Sequence, residues 1–125
     1  MSRIVTLTLS PTIDMTTTAP RLEPFSKLRC SAPQYDPGGG GINVARVVHR
    51  LGGQTTAIYP EGGAIGHFLR HLMDREGVDS RTVATGEETR QNVTVFDAAS
   101  VQQYRFVMPG PALTNAELTA CLDLT

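Results

Sequence analysis

The 125-residue sequence predicts an α/β fold, a parallel sheet flanked by helices with a small extra β-sheet set apart from it. Three observations carry this. β-rich and helix-periodic stretches alternate along the chain. Two segments, near 15–35 and 90–108, leave that alternation and are β-like. Apolar residues make up 40% and charged residues 18%, a globular balance.

Taken in order, Ile4–Leu9 alternates and is β-rich, and Pro11 stops it, so it reads as a strand. Asp14 follows just past the carboxyl end of that strand, the edge where open α/β sheets hold ligands. Residues 15–35 are rich in Thr and Pro without a helical period, and Lys27–Ala32 suits a short half-exposed strand. Val44, Val47, Val48 and Leu51 fall on one helical face, and Gly52-Gly53 ends that helix. Thr55–Tyr59 is a strand candidate. Ile65, Phe68, Leu69, Leu72 and Met73 follow the i, i+3, i+4, i+7, i+8 pattern, with Gly77 as the stop. Asn92–Phe96 and Gln103–Val107 flank a polar stretch and read as a hairpin. Thr114-x-x-Glu117 is a capping box that opens a last helix. Strand, helix, strand, helix in this order implies right-handed crossovers.

Composition narrows the function classes. A formal net charge of −1 gives no electrostatic reason to expect nucleic acid or an anionic membrane as partner. No apolar run approaches the ~20 residues of a spanning helix, and the N-terminus lacks the apolar core of a signal peptide, so a cytoplasmic protein is expected. Cys30 and Cys121 have no metal-ligand spacing and read as two reduced thiols. His67 and His71 are an i, i+4 pair without the Glu of a zincin motif, so no metal site is assigned. Ser and Cys lack a triad order or an elbow motif, which sets hydrolase chemistry aside.

The most informative stretch is Pro37-Gly38-Gly39-Gly40-Gly41-Ile42-Asn43-Val44-Ala45. Glycines leading into a helix let the backbone approach a ligand and aim free N–H groups at it. A dinucleotide fingerprint needs a glycine where Asn43 stands, and a Walker A loop needs Gly-Lys-Ser/Thr. A structural turn without a ligand stays as an alternative, but each glycine costs up to about 1 kcal/mol in ordered structure. Taken singly, Asp14 reads equally well as a turn cap, and Arg90 and Arg105 as solvated charges.

Gly40-Gly41-Ile42-Asn43-Val44-Ala45, followed by Gly52 and Gly62 at their intervals, resembles the first signature of the PfkB (ribokinase-like) carbohydrate kinase family. Thr6 to Leu9 with Pro11 and Asp14, Lys27–Cys30, Thr89–Asn92 and Gln103–Gly110 extend the likeness over essentially the whole chain. It runs closest to the family's minor bacterial ATP-dependent 6-phosphofructokinases. The resemblance implies a partial ribokinase-like sheet whose β-rich excursions form a lid. It also implies a phosphorylated-sugar site: Asp14 on sugar hydroxyls, Gly38, Gly39, Gly40, Gly41 and Asn43 against the sugar, and Arg90 on its phosphate. Arg105 and Lys27 match further basic lid positions, with Lys27 able to reach a neighbouring subunit. Lid sheets of two subunits pack together in such kinases, so a homodimer through Val95 and Phe106 is expected.

The family's catalytic base sits in a Gly-Ala-Gly-Asp motif and its metal is associated with Asn-x-x-Glu; neither occurs in this sequence. The expectation is therefore an N-terminal part, 1–125, of a kinase whose Mg-ATP site lies mostly outside the chain. No catalytic residue is assigned, and the chain alone is expected to be inactive. The expected full reaction is ATP-dependent phosphorylation of fructose 6-phosphate in glycolysis. Tagatose 6-phosphate or fructose 1-phosphate as substrate, and a non-catalytic sugar-phosphate-binding remnant, are the alternatives.

Overall fold

The computed structural model describes residues 2–125. Among the described residues, seven strands form two sheets, accompanied by three helices. The elements are β1 (Arg3–Leu7), β2 (Thr12–Ala19), β3 (Gln34–Gly38), α1 (Gly40–Arg50), β4 (Gln54–Glu61), α2 (Gly63–Glu76), β5 (Asp79–Ala84), β6 (Arg90–Asp97), β7 (Gln102–Phe106) and α3 (Asn115–Asp123). The first sheet is parallel, in order β1-β4-β5; the second is mixed, in order β3-β2-β6-β7. This is the α/β sheet with a small extra sheet that the pattern predicts.

One core joins both sheets to two helices. Ala57 and Tyr59 of β4 pack with Ile42 and Ala45 of α1, Leu69 and Met73 of α2, and Ile13 of β2. Burying these side chains at about 25 cal/mol per Å² is the main force holding the sheets to the helices. Tyr59 is fully buried and bonds Ser80 Oγ at 3.1 Å; burial pushes its phenol up to about 12. α1 and α2 thus share one face of the first sheet. α3 contacts β4 and β5 from the other face, where Ile58 is buried outside the main cluster. Both capping-box bonds of α3 form: Glu117 N donates to Thr114 Oγ1 at 3.1 Å, and Thr114 N to Glu117 Oε1 at 2.9 Å. Gly77 ends α2 in the left-handed conformation at φ 76°.

One expectation needs correction, and two gain detail. Asp14 follows the carboxyl end of β1 as expected, and it lies inside the next strand, β2. Lys27–Ala32 forms no strand; residues 20–33 are irregular, and the extra sheet takes β2 and β3 from either side of them. In α1, the apolar stripe points outward: Val44 and Val47 are 51% and 52% exposed and Leu51 is 83% exposed, while Ile42 and Ala45 are buried.

Candidate functional site: the polar face of the second sheet

The site follows from the register of the second sheet. Asp14 lies opposite Asp36 on β3 and beside Asn92 on β6. Two residues on, Thr16 aligns with Gln34 and Thr94, and Thr94 with Arg105 on β7. Because side chains alternate along a strand, Asp14, Asp36, Asn92, Thr16, Thr94 and Arg105 share one face. Ile13, Thr17 and Ala19 point the other way and are buried. The polar face looks into a cavity of about 400 Å³, which Asn43 of α1 also lines. Acceptors, amides and two guanidinium groups, Arg46 and Arg105, around such a volume suit a small polyol carrying an anionic group.

The cavity brings together three of the residues singled out from the sequence, Asp14, Asn43 and Arg105. Gly38 stands behind them. It ends β3 opposite Thr12, and a Cβ there would run into the Asp14 carboxylate and the Thr12 methyl. Gly41 lets the start of α1 rest on β1, since a Cβ would press on Thr8 Oγ1 and on the Leu7 carbonyl. Gly39 caps α1 at φ 115°, a backbone conformation open to glycine. Gly40 is exposed with open space where a side chain would be. The glycine run thus seats Asn43 beside the second sheet.

Lys27 and Arg90 are placed differently. Lys27 is exposed on the irregular segment and does not line the cavity. Arg90 opens β6 and braces two chain segments, Nη1 donating to the Met108 carbonyl and Nη2 to the Ser10 carbonyl, both at 3.0 Å. Its Nε is buried without a partner among the described residues.

Sequence reasoning missed Thr16, Asp36, Arg46, Thr94 and Gln103, all of which line the cavity. They become neighbours only through strand register. Arg46 also links the site to the core. Its guanidinium bonds both oxygens of Glu76 on α2 and donates to the Pro37 carbonyl at 3.0 Å, with Asp36 at 3.9 Å. Burial pushes the Glu76 carboxyl up, but the bonds from Arg46 and Arg50 outweigh it and hold the group below its ordinary value of 4.5. A depressed carboxyl adds stability that is present above the unfolded value and lost as pH falls through the folded one. Thermal unfolding scans should therefore show a midpoint that falls below about pH 4.5, with a shallower fall in Glu76→Gln. Equal acid slopes for the two proteins would remove this clamp from the account.

Among the described residues, no helix is long and apolar enough to cross a membrane.

Comparison with known proteins fits this geometry. The profile of the pfkB family carbohydrate kinases matches residues 1–124. The chain is 51% identical over 121 residues to an ATP-dependent 6-phosphofructokinase isozyme 2 of Mycobacterium tuberculosis, covering 97% of this chain and 36% of that protein. It is 54% identical over 117 residues to the Escherichia coli protein of the same name, covering 94% and 38%. A crystal structure of phosphofructokinase-2 from Escherichia coli in complex with fructose-6-phosphate superposes with a TM-score of 0.92 at 51% identity, covering 99% of this chain and 41% of that one. The chain therefore spans less than half the length of these relatives. It belongs to the pfkB family of carbohydrate kinases.

Proposed function

We propose that this chain is the sugar-phosphate-binding part of an ATP-dependent kinase acting on fructose 6-phosphate. One observation carries the reading: the rung Asp36-Asp14-Asn92 faces the same cavity as Asn43 and Arg105. In this role Asp14 accepts hydrogen bonds from sugar hydroxyls, and Asn43 both donates and accepts. Arg105, at the lid edge, meets the phosphate dianion. Arg90 contributes by bracing Ser10 and Met108, with free N–H groups left for an anion. Mg-ATP is the proposed co-substrate. The family's Gly-Ala-Gly-Asp and Asn-x-x-Glu motifs do not occur in this sequence, and on this reading the chain alone binds without turnover.

Isothermal titration with fructose 6-phosphate tests this. The expected result is saturable binding with no ATP-dependent product, at least tenfold weaker for fructose. A folded chain that binds neither sugar overturns the proposal. Tighter binding of tagatose 6-phosphate or fructose 1-phosphate would move the substrate assignment to that sugar.

A homodimer through the lid and a cytoplasmic location belong to the same reading. Val95 pairs with Tyr104 on the sheet face opposite Thr94 and Arg105, and Phe106, paired with Val93 and 50% exposed, also borders the cavity. Sedimentation should show Phe106→Asp shifting a dimer toward monomer; an unchanged dimer would place the interface elsewhere.

A further inference from the structure

A second cavity, of about 290 Å³, lies beside the edge strand β3 and is walled by the last turns of α1 and α2. Three guanidinium groups, Arg46, Arg50 and Arg75, line it with two carboxylates, Asp36 and Glu76. Glu76 accepts from both Arg46 and Arg50. Arg50, whose side chain is 60% exposed, keeps further N–H groups beyond the one it gives to Glu76. Arg75 is exposed and makes no ion pair among the described residues. Cations therefore outnumber carboxylates, and Asp36 also faces the sugar cavity. A concave wall with such an excess concentrates a positive potential.

The remaining lining sets the kind of ligand. Tyr35 stands edge-on to Phe68, ring centroids 5.2 Å apart, and with Pro37 and Leu72 it gives the cavity an apolar side. α1 and α2 both end here, and their carbonyl ends oppose a lone negative charge. A monoanion gains little against them. A doubly charged group whose oxygens match guanidinium forks gains more, which selects a phosphate group over chloride or acetate.

We propose that this cavity is a second anion site, separate from the sugar cavity, for a compact phosphate-bearing ligand held by Arg50 and Arg75. Arg46, Asp36 and Pro37 line both cavities, so negative charge bound in one lowers the potential in the other. A ligand here weakens sugar-phosphate binding, and by linkage the reverse holds. That coupling rests on the sugar-site reading; the anion site itself does not.

Pyrophosphate, a compact probe with two fork acceptors, tests both parts. In amide NMR spectra it should shift Tyr35, Arg50 and Arg75 and saturate, whereas acetate at equal ionic strength should not. Arg75→Gln removes no ion pair, and Arg50→Gln leaves Glu76 with Arg46. Both variants should fold normally by circular dichroism and weaken pyrophosphate binding roughly tenfold. Arg105→Gln, in the sugar cavity, should leave it within about twofold. Shifts centred on Thr94 and Arg105, equal losses in all three variants, or no saturation overturn the site. Bound pyrophosphate should also weaken fructose 6-phosphate binding about threefold or more in the parent but not in Arg75→Gln. Equal effects in the two proteins overturn the coupling. A chain that takes pyrophosphate through Arg75 but no sugar phosphate upholds this site and counts against the sugar cavity alone.

Discussion

Asp14→Ala should weaken fructose 6-phosphate binding by roughly 100-fold without destabilising the fold. Hydrogen bonds to a charged group are worth about 1.5–3 kcal/mol each. Losing two of them at one sugar corresponds to at least two decades in Kd. The stability side of this prediction is as specific as the binding side. Asp14 faces Asp36 directly across β2 and β3, and like charges in that position repel. Removing one of them relieves that repulsion, so the unfolding midpoint should stay level or rise slightly. Asp14→Asn keeps one acceptor and should recover part of the affinity. Titration calorimetry and a thermal scan on the same samples check both halves. Binding within threefold of the parent would remove Asp14 from the sugar site, and a large loss of stability would make it a structural residue.

Gly62→Ala should be the most damaging single methyl in the molecule. The backbone there is extended, at φ −132°, so alanine is conformationally welcome and the cost is purely steric. The added carbon would land on the carbonyl oxygen of Glu87, a backbone atom that no rotamer change can move aside. Displacing residues 87–89 undoes several bonds at once. Gly62 N donates to Thr89 Oγ1 at 3.0 Å, and Thr89 N donates back to the Gly62 carbonyl at 3.0 Å. Glu88 Oε1 accepts from Ile65 N at 2.6 Å in the first turn of α2. Overpacking of this kind costs about 1–3 kcal/mol. At the upper end the thermal midpoint should fall by roughly 6–12 °C. A fall of less than ~2 °C would show that the 87–89 loop shifts freely.

The helices, β1 and β4 were legible in the sequence, because their signals are local, whereas β5 was not read as a strand. The α2 period, its Gly77 stop and the Thr114–Glu117 box all depend on residues within a few positions of one another. The second sheet was half legible. The β6–β7 hairpin shows alternation, whereas Thr12–Ala19 carries four threonines whose side chains look alike to a hydropathy pattern. In the structure Thr17 is buried and Thr16 and Thr18 are exposed, so the alternation exists in environment rather than in residue type. The α1 stripe was found by its period, but its direction was not legible. Periodicity reports that apolar residues share a side, not which side meets the sheet.

At the site, Asp14, Asn43 and Arg105 were found because their likeness to a family motif stands in for long-range information. Asp36, Thr16 and Thr94 had no such marker. They enter the cavity wall only because antiparallel pairing with β3 and parallel pairing with β6 bring positions 36, 16 and 94 to the same side of the sheet.

The same pairing governs where the gene can change length. A single codon gained or lost within β2 or β6 would invert the side-chain order of everything beyond it, sending Ile13 toward the cavity and Asp14 into the core. The fourteen-residue stretch 20–33 is tied to β2 by Ser31 N donating to the Thr18 carbonyl, yet it carries no strand pairing of its own. Among natural variants of this chain, insertions and deletions should gather there, while the spacing from Thr12 to Asp14 and from Arg90 to Thr94 stays fixed.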